Sequence, residues 1–238
     1  MKGKTMCCKS RRRTQWLVLT MALVLVGTGL TNVALAQETK LVLLRYRWEK
    51  TPVTYWIEVG RGVSVEATAN VLTALDDWAT SLQQVPGAPA LEMAGNRKAA
   101  DIVVKLEART ARFLGGPRPR LGGGVGTKTD GTRKAPGCKL VSETISIYGS
   151  ELAGNPSDAR VRNLTRRLTG EALGLGWVDC GELPCGTGDL MEGGWANTWE
   201  EMPPEDLPIS ACDLEGIWTI YNAPSCQDIP VFIPYTCN

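Results

Sequence analysis

Hydrophobic and polar residues follow regular periods in several segments of the chain, and these periods predict its secondary structure. Val53–Val59 and Glu143–Tyr148 alternate between apolar and more polar residues, as half-buried strands do. Asp101–Leu106 is a nearly continuous β-branched and apolar run, which is typical of a buried strand. We therefore expect at least three strands.

A long amphipathic helix is predicted between the first strand and the Asp101–Leu106 run. It begins at Ser64, a residue that caps helices well, and reaches about Gln84. Apolar residues three or four positions apart form its expected buried face, which consists of Val65, Ala69, Leu72, Leu75, Trp78 and Leu82.

A second helix is predicted before residue 177, with Ser157 as its N-cap. Gly174 and Gly176 are expected to end it, because glycine readily takes the positive φ found at helix C-termini. Its apolar stripe is Leu164, Leu168, Ala172 and Leu175. The preceding segment from Ala108 to Cys138 is rich in glycine, proline and basic residues, and predicts a loop or a pair of short strands.

The end of the second helix carries a pattern of its own: residues 167–177 read RLTGEALGLGW. This segment resembles the zinc-binding helix of the metzincin metallopeptidases, most closely of their matrixin-like branch, whose motif is H-E-x-G-H-x-L-G-L-G-H. Arg167, Glu171 and Trp177 stand where the family has its three zinc histidines, and Leu168 stands where it has the general-base glutamate. The structural positions of the motif are kept at Gly170, Ala172, Leu173, Gly174, Leu175 and Gly176.

The residues at these positions do not support zinc chemistry. A catalytic zinc ion needs about three nitrogen, oxygen or sulfur ligands and an open position for water. The chain has no histidine, arginine and tryptophan do not ligate zinc, and Leu168 cannot take a proton from a metal-bound water. We therefore expect a degenerate site with no zinc, no other cofactor and no catalytic residue.

Other roles for these positions remain open. Arg167 and Glu171 are one helical turn apart and predict an ion pair in the volume of the lost zinc, or a solvated pair; alternatively, Arg167 binds a ligand carboxylate. Trp177 is expected to fill the site or to form a recognition surface with Trp195 and Trp199. Four acids near the site are expected to be solvated: Asp179, Glu182, Asp189 and Glu192.

The order of the predicted elements extends the resemblance over about residues 51–221. Asp189-Leu190-Met191 resembles the family's Met-turn, with Met191 expected in the core, and residues 209–221 resemble its C-terminal helix. Ser210 and Asp213 have the spacing of a capping box at the start of that helix. The resemblance implies an α+β, zincin-like fold: a twisted mixed sheet, two main helices, a Met-turn, a C-terminal helix and a small disulfide-bearing subdomain below a cleft.

Residues 1–36 are expected to be a secretory signal peptide. A basic start precedes the apolar run Trp16–Leu30, and Ala34-Leu35-Ala36 forms a small-residue cleavage site. The arginine run leaves Sec and Tat export open, and an uncleaved anchor is the alternative. We expect a secreted or extracytoplasmic protein, without stable membrane insertion after cleavage, made of a domain at 37–221 and a tail at 222–238.

Charge and cysteine content narrow the possibilities further. Without the signal peptide the chain has 20 basic and 25 acidic residues, and no Lys or Arg follows Arg167, which argues against a nucleic-acid binder. Six cysteines remain, and in an exported chain they predict up to three disulfides. They are Cys138, Cys180, Cys185, Cys212, Cys226 and Cys237. Cys226 and Cys237 lie in the tail, and we expect bonds from them to Cys212, or to Cys180 and Cys185, to tether it.

Three functions are compatible with these observations. The leading hypothesis is an exported pseudopeptidase that binds a polypeptide in the former substrate cleft, along a sheet edge. The second is an active metallopeptidase with non-histidine ligands such as Glu171, Asp179 or a reduced cysteine. The third is a structural envelope or matrix protein stabilised by its disulfides.

Overall fold

The computed structural model describes residues 38–108, 121–130, 137–154, 159–181, 187–192 and 202–236. The predicted signal peptide lies outside this part of the chain. So do the following residues named above: Ser157, Glu182, Cys185, Trp195, Trp199 and Cys237. None of the described helices has the length and hydropathy needed to span a membrane.

The described residues form eight strands and three α-helices. The strands are β1 (Lys40–Leu43), β2 (Val53–Val59), β3 (Leu91–Met93), β4 (Ile102–Glu107), β5 (Gly122–Thr129), β6 (Leu140–Tyr148), β7 (Leu175–Asp179) and β8 (Phe232–Pro234). The helices are α1 (Val65–Leu82), α2 (Arg160–Ala172) and α3 (Ala211–Asn222). The predicted α+β class is therefore confirmed.

Five strands form a mixed sheet in the order β3-β2-β4-β6-β5. Neighbouring strands are parallel except β5, which pairs antiparallel with β6 and forms one edge. The three strands predicted from the pattern are β2, β4 and β6, and all three are confirmed, with β6 beginning at Leu140 instead of Glu143. The glycine-rich segment contributes β5, one eight-residue strand.

The first helix begins as predicted. The side chain of Ser64 caps α1 by accepting a hydrogen bond from the Ala67 amide at 3.0 Å. The helix ends at Leu82, two residues before the expected end. Both α1 and α2 are main helices of the fold; they pack against each other, and α2 also contacts β5 and β6.

The buried face of α1 is only partly the predicted one. Leu75, Trp78 and Leu82 are buried as expected, but Val65 is 80% exposed and Ala69 is also exposed. In the first half of the helix the residues that face the core are Ala67, Val71 and Ala74. Two sets of apolar residues fit the helical period in this half of α1. The set that packs against the core is the one with two alanines, Ala67 and Ala74.

The second helix starts later than predicted. The N-cap of α2 is Ala159, and its side chain makes no capping hydrogen bond. The helix ends at Ala172, and Gly174 follows with φ +106°, as the pattern of a glycine-terminated helix predicts.

Gly176 and Leu175 do not belong to the end of α2, which corrects the prediction. Both lie in β7, directly after the turn at Gly174. A Cβ at Gly176 would lie 2.8 Å from the carbonyl oxygen of Val42 in β1. Gly176 is therefore needed for the close approach of two strands.

A second, three-stranded sheet has the order β7-β1-β8, with both pairs antiparallel. Neither β1 nor β8 was expected from the pattern, because each is only three or four residues long. Their backbone pairing brings the start of the described chain, the segment after α2 and the tail into one sheet.

The C-terminal helix and its capping box are confirmed. The Ser210 hydroxyl accepts from the Asp213 amide, and the Asp213 carboxylate accepts from the Ser210 amide. Ile217 and Ile220 are buried on its apolar stripe.

One disulfide joins Cys138 to Cys226, with Cα atoms 5.8 Å apart. The expected tether from the tail to Cys212 or to Cys180 and Cys185 is therefore wrong for Cys226, because the tail folds back to the start of β6. Cys180 and Cys212 are disulfide-bonded as well. The disulfide-stabilised character of the fold is confirmed.

Candidate functional site

The side chain of Arg167 leaves α2 toward the turn at residues 189–192 and is only 3% exposed. Its Nη1 donates to the carbonyl oxygens of Glu192 and Leu190. Its Nε lies 3.5 Å from Oε1 of Glu171, which confirms the predicted ion pair and excludes the solvated alternative for Arg167. The guanidinium group thus joins α2 to the turn.

Burial and neighbouring charges have opposite effects on the pKa values of Arg167 and Glu171. Burial lowers the pKa of Arg167, and the nearby acids Glu171, Asp189 and Asp213 oppose that change. Burial raises the pKa of Glu171, and Arg167 opposes it. The nearby acids therefore favour the charged form of Arg167, and Arg167 favours the charged form of Glu171.

The turn beneath α2 is built around Met191, which is fully buried, as predicted. Its amide donates to Oδ1 of Asp189 at 2.8 Å, which closes the turn. A Cβ at Gly170 would lie 3.2 Å from the Met191 sulfur, so the helix and the turn are in close contact. This glycine lets α2 pack directly on the methionine.

Two acids of this turn are buried, which corrects the prediction that they are solvated. Asp189 is 5% exposed and Glu192 is 1% exposed. Asp189 Oδ2 accepts from the hydroxyl of Tyr235 at 2.9 Å, so the tail after β8 also contacts the turn. Asp179 is exposed, as expected.

Asp213 is a third buried acid in this region. Burial and the charge of Asp189 raise its pKa to about 8. Its Oδ1 has no hydrogen-bond partner among the described residues, whereas Oδ2 belongs to the capping box of α3. The capping hydrogen bond through Oδ2 gives Asp213 a structural task at the start of α3.

Trp177 does not fill the site. It lies on β7 and is 46% exposed, because the preceding turn starts a strand that carries this side chain outward. Leu168 is buried and meets the edge strand: a Cβ at Gly123 would lie 2.6 Å from its Cδ1. The predicted recognition surface with the tryptophans at 195 and 199 falls outside the described residues.

The sequence interpretation missed a polar cluster between the sheet edge and the end of α2. Glu143 is 2% exposed, and neither of its carboxyl oxygens has a hydrogen-bond partner in the described part of the chain. Its cross-strand neighbour in β5 is Thr127. The hydroxyl of Tyr46 lies close to Thr127 and donates to the carbonyl oxygen of Glu171 at 3.1 Å.

The electrostatics of this cluster are dominated by burial. Burial raises the pKa of Glu143 to about 7, and Thr127 opposes the rise without reaching hydrogen-bond geometry. Burial also raises the pKa of Tyr46, with smaller contributions from Glu143 and Glu171. A signal was present in the sequence, since Glu143 shares one face of its strand with Ile145 and Ile147, where an acid is out of place.

The outer edge of β5 is an edge of the five-stranded sheet near α2. Its pairing within the described residues is with β6 alone, which leaves the main-chain groups of the other side free of strand partners. A Cβ added at Gly124 would meet no atom within 4 Å, and one added at Gly126 would meet none closer than 3.7 Å. Gly122, Gly123, Gly124 and Gly126 give β5 little side-chain bulk, and an edge without a strand partner among the described residues is a template for pairing with another extended chain.

The four positions that resemble a zinc site do not fit a metal ion. Arg167 places a buried cation there, Leu168 offers no donor atom, and Trp177 faces outward; Glu171 is the one member with ligating oxygens. In the part of the chain that the structure describes, no three His, Cys, Asp or Glu side chains converge as a metal site requires.

Comparison with known proteins gives no family assignment. No protein-family model matches the chain, and no curated protein matches it significantly. The case for a function therefore depends on the geometry of the site itself.

Proposed function

We propose that the protein is an exported, noncatalytic relative of the matrixin-like metallopeptidases that binds an extended polypeptide along β5. The observation that carries this proposal is the buried guanidinium group of Arg167, clasped between α2, Glu171 and the turn carbonyls. A fixed cation at the position of a zinc ligand repels a metal ion, and the neighbouring Leu168 supplies no base.

Three features support the relation to metzincins. The elements follow one another in the order that the resemblance implies, from β2 through α2 to α3. Gly174 makes the left-handed turn that ends the helix, and Met191 packs beneath α2 against Gly170. None of these features requires a metal ion.

The polypeptide-binding role is supported by the edge strand. β5 runs beside α2, with Gly123 against Leu168; its outer edge has no strand partner among the described residues, and its glycines give it little side-chain bulk. An extended peptide that adds a strand there gains main-chain hydrogen bonds, and its side chains supply specificity. Such binding requires no catalytic residue.

The first experiment measures zinc and proteolysis together. The exported chain, with its disulfides formed, is analysed for bound zinc by elemental analysis and tested on casein. We expect neither zinc nor cleavage in a sample that is folded by circular dichroism. Stoichiometric zinc with casein cleavage, both lost in Glu171→Ala, would contradict the proposal and favour the peptidase with non-histidine ligands.

The second experiment tests strand addition. A library of extended decapeptides is screened on the immobilised protein, and the selected peptide is compared with a version N-methylated at alternate residues. Backbone pairing predicts that methylation of the residues whose amides face β5 weakens binding at least tenfold, whereas methylation of the intervening residues does not. A folded protein that retains no peptide would favour the structural envelope or matrix role.

A further inference from the structure

Glu143 is an acid with no evident structural task. It lies on the face of β6 that is turned to α2, is 2% exposed, and has two carboxyl oxygens without a hydrogen-bond partner in the described residues. Burying an acid without partners costs free energy, and burying its charged form costs more. A fold that needed only packing at this position would be more stable with an apolar residue there.

In the described part of the chain, Glu143 has a second acid near it and no cation in contact with it. That acid is Glu171, and the charges of both acids act on the Tyr46 hydroxyl. The cation that contacts Glu171 is Arg167, and it is already held by Glu171 and by two backbone carbonyls. Lys128, next to Thr127 in β5, faces the opposite side of the sheet by strand alternation. One more positive charge would balance the cluster.

The position of Glu143 relative to the edge strand sets the length of a suitable ligand group. Neighbouring strands are about 4.8 Å apart, so a peptide added to β5 would lie two strands, or about 10 Å, from the backbone of Glu143. A long basic side chain that passes over Thr127 spans this distance together with the glutamate side chain. A short side chain on the peptide does not.

We propose that Glu143, with the hydroxyl groups of Tyr46 and Thr127 at its entrance, is a subsite for a lysine or arginine side chain of a polypeptide bound along β5. This inference rests on the proposed function for the route by which the side chain arrives. The carboxylate of Glu143 accepts the charged hydrogen bonds, and the two hydroxyl groups accept further ones from an ammonium or guanidinium group. Glu171 places a second negative charge near Tyr46, and this charge attracts a cation at longer range.

The test compares peptides that differ at one residue. The decapeptide selected by the library is made with lysine, arginine, norleucine or citrulline at each position in turn, and its affinity is measured by fluorescence anisotropy at pH 8. Norleucine and citrulline keep the length of lysine and arginine but remove the charge. We expect the basic peptide to bind about tenfold more tightly than its neutral match at one position.

Protein variants test whether the preference for the basic peptide depends on Glu143. In Glu143→Gln the preference should fall to less than about twofold, while Glu107→Gln, an exposed acid at the end of β4, should leave it unchanged. A basic preference that persists in Glu143→Gln, or the lack of any basic preference in the wild-type protein, would overturn the inference. Peptide binding without such a preference would leave the proposed function standing.

A small cation tests the subsite without a peptide. The protein is labelled with 13C-glutamate, and the carboxyl resonance of Glu143, assigned by its loss in Glu143→Gln, is followed during titration with n-butylammonium chloride against sodium chloride. We expect n-butylammonium to shift this resonance and to lower its apparent pKa. An effect of n-butylammonium in a protein that binds no peptide would support the subsite and refute the proposed function. Identical titrations in both salts would refute the subsite.

Discussion

Arg167 Nε lies 3.5 Å from Glu171 Oε1, one helical turn further along α2, and the two side chains are 3% and 27% exposed. The guanidinium group also binds two carbonyl oxygens of the turn that contains Met191. A pair that would contribute little on an open helix surface therefore connects two segments far apart in the sequence. Its position explains how α2 and the turn at residues 189–192 are held together without a metal ion.

Removal of Arg167 tests this connection. Arg167→Met keeps apolar volume but leaves Glu171 without its partner, and we expect a loss of about 2 to 3 kcal/mol in the free energy of unfolding, measured with urea. The double variant Arg167→Met/Glu171→Leu should recover most of the loss, because it leaves no unpaired charge. Arg97→Ala, which breaks an exposed pair with Glu58, is the control and should cost less than about 1 kcal/mol.

One result would contradict the prediction for Arg167→Met. A loss in Arg167→Met no larger than that in Arg97→Ala would show that the buried pair does not hold α2 to the turn.

Glu143 makes a pH-dependent contribution to stability. Its pKa is raised from 4.5 to about 7 in the folded protein, so folding is progressively weakened as pH rises through that interval and constant above it. Between pH 4 and pH 8, Glu143→Gln should gain about 1 to 3 kcal/mol in stability relative to the wild-type protein. Urea unfolding at a series of pH values measures the difference.

The matched acid for this experiment is Glu107, which is exposed on β4. Its variant Glu107→Gln should show a stability difference that stays within about 0.5 kcal/mol across the same pH range. Parallel curves for wild-type protein and Glu143→Gln would contradict the burial of the ionisable group.

Two adjacent glycines of β5 should respond oppositely to alanine. A Cβ at Gly123 would lie 2.6 Å from Leu168 and 2.7 Å from the Ser146 carbonyl oxygen, so Gly123→Ala should cost about 1 to 3 kcal/mol through forced movement of β5 or α2. At Gly124 the space is open, and Gly124→Ala should be neutral or stabilising by up to about 1 kcal/mol. Thermal unfolding of both variants measures the two stability changes. Equal changes would contradict the close contact of β5 with α2.

The disulfide between Cys138 and Cys226 closes a sequence separation of 88 residues. Its removal in Cys138→Ala/Cys226→Ala should lower the stability by about 2 to 4 kcal/mol. Peptide mapping without reduction should yield a linked pair that contains both residues. Trypsin needs a second protease that cuts after aromatic residues, because no Lys or Arg follows Arg167. A linked pair of Cys226 with any other cysteine would contradict the fold of the tail.

Histidine substitution tests the geometry of the altered positions. Arg167→His/Glu171→His supplies two imidazoles one helical turn apart, whereas position 177 faces outward on β7. The triple variant with Trp177→His should therefore bind zinc no more tightly than the double variant, since two converging ligands are fewer than a zinc site ordinarily uses. Equilibrium dialysis measures both; one zinc ion per chain in the triple variant alone would contradict the outward orientation of position 177.

Much of the fold was predictable because its signals are local. The alternation in β2, the Ser64 cap of α1, the capping box of α3 and the positive φ of Gly174 each depend on a few neighbouring residues. The ion pair of Arg167 with Glu171 was predictable for the same reason, since the helical period fixes their spacing.

The errors have the opposite origin, because they concern contacts between distant segments. The pairing of β1 with β7 and β8, the bond from Cys138 to Cys226 and the face of α1 that packs are all decided by residues far along the chain. Trp177 was expected either to fill the site or to belong to a recognition surface; the turn at Gly174 begins a strand that directs it outward, which excludes the first alternative.

The sequence by itself determined the order of the three predicted strands and the three helices, the caps at Ser64 and Ser210, and the lack of histidine ligands, since these follow from residue type and short-range spacing. Only the tertiary structure decided the surroundings of these positions: a buried arginine fixed by turn carbonyls, and a glutamate that has no hydrogen-bond partner among the described residues and lies one strand from the sheet edge. Burial is a property of the packed whole, and it gives ordinary charged residues their particular chemistry here.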